Sequence, residues 1–405
     1  MEISKEIKPM NPELKSLLLQ KAKELLPSII ELRRHLHQHP ELSFQEFETS
    51  KFIKDFLTRH QIEFEANWVR TGLVASIGET KGNPCFALRA DMDALPIVEQ
   101  NTVDYTSANH GVMHACGHDV HTSCLIGALL ILKTFERELA QPVIGIFQPG
   151  EEKLPGGASL MISEGLFDQY QISKIIGLHV QPTMKAGELG FCPGQSMASS
   201  DELYITVKGK GGHAAMPHLA VDPIVATARL ITTLQELVSR NNNPFSPSVL
   251  TIGKVNTVGG ATNVIPDEVK LEGTFRAMDE TWRARAHELI QKICYETAQA
   301  NGCEAIVDIR IGYPCLVNDE VFTAQCKSVA EDLWDDALVK DFPARMTSED
   351  FAYYLQKVPG CFFRLGTSNV DGSKSNSVHT PQFDIDEQAL FTGMASLAWM
   401  ALNVK

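Results

Sequence analysis

The chain has 405 residues, of which 44% are hydrophobic and 21% are charged, and this composition is typical of a globular protein long enough for two domains. Its 50 acidic residues outnumber its 36 basic ones and give a formal net charge of −14. With no Lys/Arg-rich run to offset that charge, the sequence argues against nucleic acid or an anionic membrane as a partner.

The beginning of the chain and its cysteines predict a cytoplasmic protein. The stretch MEISKEIKPMNPELK has no apolar core, unlike a signal peptide, and no run of about 18 apolar residues follows it. The 9 cysteines are odd in number and contain no C-x-x-C pair, so we expect reduced thiols.

Two helices are predicted first. Leucines and isoleucines recur at helical spacing over residues 13–39, on both sides of Pro27. After a turn at Pro40, a second helix is expected to start near Ser43. Glu46 stands three residues further on, as in a capping box.

Short apolar runs with abrupt polar ends then predict strands. They cover residues 85–93, 143–152, 174–180 and 361–367, and a helical pattern over residues 121–138 separates the first two. Strands that alternate with helices predict an α/β domain with a mostly parallel sheet and helices on both faces. Ligands bind beyond the carboxyl ends of such strands, so we expect the polar ends to meet at one edge. Those ends are Asp91, Asp93, Glu151, Glu152 and His179.

The pattern changes near residue 200. Alternating strands DELYITVKGKGG, SVLTIGKVNTVGG, EVKLEGTFRAM and EAIVDIRIGY enclose helices over residues 223–239 and 280–300. The order β-α-β-β-α-β predicts a ferredoxin-like α+β domain that can fold alone. We therefore predict a discontinuous catalytic domain, residues 1–198 and 313–405, interrupted by a small inserted domain, residues 199–312.

The stretch MHACGHDVHT concentrates donors for a metal ion. Cys116 and His118 stand two residues apart just before the helix that His121 is expected to open. A thiolate and an imidazole suit a borderline-soft divalent ion such as Zn²⁺, Ni²⁺, Co²⁺ or Mn²⁺. The alternative is an ordinary helix start that Asp119 caps, with histidines that are merely polar.

Acidic and imidazole groups at other strand ends favour the metal interpretation. Glu151 and Glu152 follow the turn-forming Pro149-Gly150, so that one carboxylate can bind a metal while its neighbour takes a proton from the attacking water. Taken singly, the acidic pair could be an exposed turn, and His179 and His379 could be surface histidines. Their coincidence at several strand ends makes that combination improbable.

Many stretches together resemble the M20 peptidase family, in its branch of N-acyl-amino-acid, hippurate and indole-acetyl-amino-acid amidohydrolases. The matching stretches run nearly end to end: RRHLHQHPELSFQE, FALRADMDALPI, MHACGHDVHT, FQPGEE, GGASLMISEG, GLHV, GKGGHAAMPHLAVDP, TNVIPD, GTFRAMDE, SEDFAYYLQKVPGCFFRLG and VHTPQFDIDEQAL. The resemblance implies a metal-dependent exopeptidase-like catalytic domain, two divalent metal ions per chain (Zn, Mn, Ni or Co), and an inserted lid domain that forms a homodimer.

The resemblance also implies roles for individual residues. The metal ligands would be Cys116, His118, Glu152, His179 and His379. Glu151 would be the general base and then the acid that protonates the leaving amine, and Asp93 would fix a ligand imidazole. In the lid, His213 would donate to the oxyanion across the dimer, while Asn263 and Arg276 would bind the substrate carboxylate.

Two positions depart from the family pattern. Asp91 stands where many M20 peptidases have a histidine, and we do not expect it to be a ligand. Gly150 replaces the usual alanine, which should loosen the turn slightly without moving the carboxylates. A role for His114 and His121 beside the ligands is left open, and Cys124 is expected to pack. No chemical role is expected for His35, His37, His39, His60, His218 and His287.

The sequence therefore predicts a cytoplasmic amidohydrolase that releases an amino acid from an N-acyl amino acid. One alternative is an M20-type carboxypeptidase or dipeptidase with the same site. A more distant alternative is a non-catalytic binding protein of the same fold.

Overall fold

The structure is a computed structural model that describes residues 11–369 and 371–404. The chain divides into two compact units. The first comprises the described residues of Met1–Gly194, Asn318–Pro343 and Tyr353–Lys405, and the second comprises Gln195–Val317 and Ala344–Ala352. The second unit therefore interrupts the first, and it also takes in a short segment from further along the chain.

The helices and strands are numbered in chain order. The helices are α1 (Pro12–Gln38), α2 (Phe47–Arg59), α3 (His118–Thr134), α4 (Gly157–Ser163), α5 (Leu166–Gln169), α6 (Pro223–Glu236), α7 (Glu280–Ala300), α8 (Glu320–Leu333), α9 (Ala352–Leu355) and α10 (Gln388–Asn403). The strands are β1 (Glu63–Trp68), β2 (Gly72–Ile77), β3 (Pro84–Asp91), β4 (Val143–Gln148), β5 (Gln171–Lys185), β6 (Leu189–Phe191), β7 (Gly194–Met197), β8 (Asp201–Lys208), β9 (Gly212–His213), β10 (Ser248–Val258), β11 (Val264–Ile265), β12 (Glu268–Ala277), β13 (Glu304–Ile311), β14 (Leu316–Asn318), β15 (Val339–Asp341) and β16 (Gly360–Ser368).

The first unit is built on an eight-stranded sheet with the order β1-β2-β4-β3-β5-β16-β6-β15. Its central strands β4, β3, β5 and β16 run parallel, whereas β1 and β2 join the edge in antiparallel pairs. The predicted α/β class with a mostly parallel sheet is confirmed. The carboxyl ends of the central strands therefore lie along one edge.

The core of this unit lies between the sheet and the helices α1, α3 and α10, which pack on one another. Helix α3 is apolar nearly all round and almost wholly buried, as expected for a central helix. Glycines allow α3 and α10 to approach closely: a Cβ on Gly393 would lie 2.4 Å from Cys124 Sγ, and one on Gly127 would lie 2.7 Å from Met394 Sδ. Cys124 packs in the core, as the sequence predicted.

The second unit has a four-stranded antiparallel sheet with the order β10-β12-β8-β13. Helices α6 and α7 pack together and on this sheet, and their apolar side chains share one core with β8, β10 and β12. The chain order β8-α6-β10-β12-α7-β13 is the predicted ferredoxin-like arrangement.

Three local predictions differ from the structure. Helix α2 begins at Phe47, and Ser43 does not cap it, because the Ser43 hydroxyl donates to Asp93 Oδ2 over 2.6 Å. Helix α3 begins at His118 rather than His121, directly after Gly117, whose φ of 84° ends the preceding loop. The segment Ala344–Ala352 groups with the second unit because the N–H of Ala198 donates to carbonyls within it.

Within residues 11–369 and 371–404, no helix combines the length and apolar character needed to cross a membrane.

Candidate metal centre

Polar side chains collect at the carboxyl ends of the central strands of the first unit. Strand β3 ends at Asp91, and Glu151 and Glu152 follow the end of β4. His179 lies within β5, and His118 opens α3. The predicted convergence at one edge is therefore found.

The five predicted ligands come together in this place. Cys116 Sγ lies 3.5 Å from His179 Nε2 and 3.3 Å from His379 Nε2. Glu152 Oε1 lies 3.3 Å from His379 Nε2 and 3.9 Å from His118 Nε2. These side chains form overlapping groups whose ligand atoms lie within 4.8 Å of one another, which is the spacing that a shared metal ion requires.

The hydrogen bonds of His118 and His179 engage Nδ1 and leave Nε2 of both rings for a metal ion. His118 Nδ1 lies 3.2 Å from Asp93 Oδ1, and His179 Nδ1 donates to the carbonyl of Val180 over 2.9 Å. His118 Nε2 is buried and makes no hydrogen bond to any described residue. A buried nitrogen lone pair without a donor fits a coordinated cation, so the residues present fit divalent metal ions.

The charges of the cluster also favour a cation. Burial and the carboxylates of Glu152 and Glu151 raise the pKa of Cys116 well above its usual value. Burial acts to lower the pKa of His118, but the carboxylates of Asp91, Asp93 and Glu152 raise it to about 10. A divalent ion reverses both effects, because it stabilises a thiolate and a neutral imidazole.

Asp93 holds the two glutamates as well as a ligand imidazole. Its Oδ1 accepts the N–H of Glu151 over 3.0 Å, and its Oδ2 accepts the N–H of Glu152 over 2.9 Å. Both glutamates belong to a possible metal group with His118. One buried carboxylate therefore orients the backbone of both acidic residues and the ring of His118.

The turn that carries the glutamates is built around glycine. Gly150 has φ of 63°, and a Cβ at this position would lie 2.3 Å from the ring of Phe44. The slight loosening expected from Gly150 is therefore not its role in this chain, because the ring occupies the space of an alanine side chain and the backbone is left-handed.

Asp91 and His121 form a possible metal group with His118, but both also make hydrogen bonds beside the predicted ligands. Asp91 accepts a hydrogen bond of 2.6 Å from Arg89 Nη1 at one oxygen and lies 2.6 Å from His121 Nδ1 at the other. His121 Nε2 in turn accepts the N–H of Val180 over 3.0 Å. Both nitrogens of His121 thus have partners, which favours a supporting role for this residue over metal binding.

His114 is also wholly buried. Neither of its ring nitrogens has a hydrogen-bond partner among the described residues. Burial lowers its pKa to about 4, so the ring is neutral at pH 7.

Next to the site lies a buried ion-pair network that the sequence did not reveal. Asp119 accepts a hydrogen bond from Arg33 Nε over 2.8 Å, and the same oxygen lies 2.8 Å from His37 Nδ1. His37 Nε2 is 3.1 Å from Glu99. Asp119 therefore does not cap α3. His37, for which no role was expected, takes part in this network through both ring nitrogens. The spacing of Arg33 and His37 on one face of α1 was the available signal.

The residues expected to bind substrate lie in the second unit. His213 on β9 pairs with Val264 on β11, and the carbonyl of Asn263 accepts the N–H of Ala214 over 3.0 Å. His213 Nδ1 accepts the N–H of Ala215 over 3.1 Å, so the ring proton is on Nε2.

Arg276 also lies in the second unit. Its side chain projects from β12, and its Nη1 donates to Ser348 Oγ over 3.1 Å. Burial lowers its pKa, but a guanidinium remains charged at pH 7.

Comparison with known proteins gives consistent matches. The model of the family described as peptidase family M20/M25/M40 matches residues 87–403. An N-acetyl-L-cysteine deacetylase of Bacillus subtilis is 42% identical over 89% of this chain and 84% of its own length. An IAA-amino acid hydrolase of Arabidopsis thaliana is 37% identical over 96% of this chain and 88% of its own length. A solved structure from Bacillus subtilis, described as a dinuclear metal binding peptidase from the M20 family, superimposes with a TM-score of 0.80. It is 34% identical and covers 95% of this chain and 100% of its own.

Proposed function

The chain belongs to the peptidase family M20/M25/M40, and from that premise we propose that it is a metal-dependent amidohydrolase of N-acyl amino acids. The reaction hydrolyses the amide bond and releases a carboxylic acid and a free amino acid. The observation that carries the proposal is the set of five donors around Cys116, with two adjacent glutamates held by one carboxylate. The deacetylase and the IAA-amino acid hydrolase named above support the substrate class.

Cys116, His118, Glu152, His179 and His379 would hold two divalent ions, since five donors exceed one tetrahedral site. Such ions supply polarisation of the scissile carbonyl and a lower pKa for a nearby water. One thiolate among imidazoles and a carboxylate suits Zn²⁺, Co²⁺, Ni²⁺ or Mn²⁺.

Glu151 carries the proton in this proposal. Its carboxylate takes a proton from the attacking water as the water oxygen bonds to the amide carbon. It then gives that proton to the nitrogen of the leaving amine as the C–N bond breaks. A positioned general base of this kind contributes on the order of 10²–10⁴ in rate. Asp93 acts through backbone hydrogen bonds, because it fixes the orientation of Glu151 and Glu152.

We propose that residues 199–312, which make up most of the second unit, form a lid and dimerisation domain in which three residues would bind the substrate. His213 carries its ring proton on Nε2, as a neutral donor to an oxyanion requires. Arg276 offers a planar fork for the α-carboxylate, and Asn263 lies beside the strand of His213.

We also propose a cytoplasmic homodimer. Strand β10 is at the edge of its sheet, pairs with β12 alone among the described residues, and exposes Val249, Val255 and Val258. An exposed edge of this kind can pair with a second copy. In the dimer, His213 would act on substrate bound to the partner chain. The cytoplasmic location is supported by nine buried free cysteines.

A substrate panel tests the function. Purified protein is assayed with several divalent metals against N-acetyl, N-benzoyl and indole-acetyl amino acids and against dipeptides, with Glu151→Gln as the inactive control. We expect higher kcat/KM for the N-acyl amino acids. Preference for dipeptides would instead make the chain a peptidase, and no turnover with any metal would favour a binding protein.

The dimer is tested with mixed subunits. Glu151→Gln and His213→Ala chains should each be nearly inactive, whereas their hybrid contains one site with an intact base and an intact donated histidine. Partial recovery of activity on mixing is expected. Confirmed subunit exchange without recovery would exclude the action of His213 on the partner.

A further inference from the structure

Two buried carboxylates hold the backbone of the turn that carries the acidic pair. Glu46 Oε1 accepts the N–H of Gly150 over 2.9 Å, and Asp93 accepts the next two N–H groups, those of Glu151 and Glu152. Three consecutive donors are thus oriented by side chains from distant parts of the chain. A buried N–H group left without an acceptor is costly, so these hydrogen bonds define the path of the turn.

Glu46 makes further contacts that concern the same turn. Its Oε1 also accepts the N–H of Phe44 over 2.8 Å, and its Oε2 accepts the hydroxyl of Thr71 over 2.8 Å. The Phe44 ring in turn occupies the space beside Gly150 where a Cβ would stand. Phe44 has φ of 64°, which is unfavourable for this residue type, and its hydrogen bond to Glu46 helps to hold it. Glu46 therefore fixes both partners of the ring–glycine contact.

The environment of Glu46 disfavours the ionised form of its carboxyl group. The residue is 0% exposed and forms no ion pair with any described residue. Burial and the charge of Asp93 raise its pKa to about 7, although its hydrogen bonds act in the opposite direction. Burying a carboxyl without a cation is a poor way to stabilise a fold. Its contacts point instead to the placement of the turn.

We propose that Glu46 is a positioning residue of the hydrolytic site, which sets the place of the Glu151 and Glu152 carboxylates through Gly150 and Phe44. This inference rests on the function proposed above. Glu46 itself does not touch the reacting atoms.

The contacts of Glu46 allow its charge to be separated from its hydrogen bonds. In Glu46→Gln, the amide oxygen can still accept both N–H groups, while the amide nitrogen donates to the hydroxyl of Thr71. Glu46→Ala removes every contact. Glu46→Asp withdraws the acceptor by one methylene, which is on the order of 1.5 Å, and keeps the carboxyl group.

The experiment compares these three variants in the metal-loaded enzyme with a matched control. Glu164→Ala is the control, because the Glu164 carboxylate also accepts a backbone N–H, that of Val69 over 2.7 Å, but makes no hydrogen bond to the acidic turn. For each variant, the folded fraction, kcat, KM and the affinity for metal against a chelator are measured.

We expect Glu46→Ala and Glu46→Asp to lower kcat by about 10²-fold with KM changed less than about 3-fold, since a misplacement of about 1 Å costs that much. Because Glu152 is a proposed ligand, metal affinity should fall by about 10-fold or more. Glu46→Gln and Glu164→Ala should remain within about 3-fold of the parent chain in both quantities.

A folded Glu46→Asp with kcat and metal affinity of the parent would overturn the proposal, and so would equal losses in Glu164→Ala. If Glu46→Ala does not fold, the comparison of Glu46→Asp with Glu46→Gln still tests the positioning role. If the parent hydrolyses none of the substrates, the proposed function fails, but the metal-affinity comparison still tests the positioning role. Loss of affinity in Glu46→Asp and its retention in Glu46→Gln would support that role even then.

Discussion

Replacing Asp93 by asparagine should weaken both the fold and the metal centre. The wholly buried carboxylate accepts four hydrogen bonds, two at each oxygen. Glu151 N–H and His118 Nδ1 share one oxygen, while Glu152 N–H and the Ser43 hydroxyl share the other. An amide keeps only one oxygen, so one backbone N–H must face an NH₂ group in either orientation.

The structure allows the loss to be estimated. The amide nitrogen should take the place of Oδ2, because the Ser43 hydroxyl can rotate and accept, whereas His118 would otherwise lose the tautomer that leaves Nε2 free. The partly buried N–H of Glu152 is then left without an acceptor. An unsatisfied buried donor costs about 1–3 kcal/mol, and the lost charge-assisted bond lies in the same range, so we expect a loss of about 2–4 kcal/mol. Metal affinity should fall by about 10–100-fold.

Two measurements check this estimate. Urea unfolding of the metal-free protein gives the stability change, and competition with a chromophoric chelator gives the affinity. Ser43→Ala is the control, since it removes one bond and leaves both backbone donors satisfied. It should cost about 1 kcal/mol. A loss below about 0.5 kcal/mol in Asp93→Asn, with metal affinity unchanged, would refute the role given to Asp93.

Other predictions concern the acidic pair, the thiol and the second unit. Glu151→Gln should retain metal and lose on the order of 10²–10⁴ in turnover, whereas Glu152→Gln should lose metal as well; equal metal content in the two would contradict their assigned roles. Cys116 should react faster with an alkylating reagent after chelation than with metal bound, although its raised pKa slows that reaction, whereas Cys294 should show no dependence on metal, and mass spectrometry of the labelled protein shows the difference. Burial acts to raise the pKa of Asp201, but its hydrogen bonds with His287 and Arg283 hold this pKa below its usual value. Its contribution to stability is therefore present above about pH 4 and lost as the pH falls through the folded-state pKa, so Asp201→Asn should lower the urea midpoint more at pH 7 than at pH 3.

The periodicity of apolar residues and the order of the predicted helices and strands were sufficient to predict the architecture. Apolar runs with polar ends gave the central strands, and β-α-β-β-α-β predicted the sheet of the second unit. The segment Ala344–Ala352 was placed with the first unit because it adjoins it in sequence. In the structure it groups with the second unit, and backbone hydrogen bonds join it to Ala198. The local sequence pattern does not indicate such long-range hydrogen bonds.

The donors of the metal centre could be predicted because they lie in motifs at strand ends. Their protonation could not, since the tautomer of an imidazole depends on what its other nitrogen contacts. His121 illustrates this. The sequence left its role beside the ligands open, and in the structure one of its nitrogens lies against Asp91 while the other accepts the N–H of Val180. These three-dimensional neighbours are not visible in the sequence.

The pair Ser43 and Glu46 shows how tertiary contacts override a local signal. Their spacing is that of a capping box, in which each side chain would satisfy a backbone N–H of the same helix. In the structure, both side chains instead turn toward the acidic residues after β4, because Ser43 donates to Asp93 and Glu46 accepts from Gly150. The start of α2 is satisfied by Glu41 instead, whose carboxylate accepts the N–H groups of Glu48 over 3.2 Å and Thr49 over 2.8 Å. The turn needs acceptors for three consecutive N–H groups, of which those of Gly150 and Glu151 are buried, and an unsatisfied buried donor costs about 1–3 kcal/mol. Because Glu41 already serves the helix, Glu46 can accept at the turn and Ser43 can donate to Asp93.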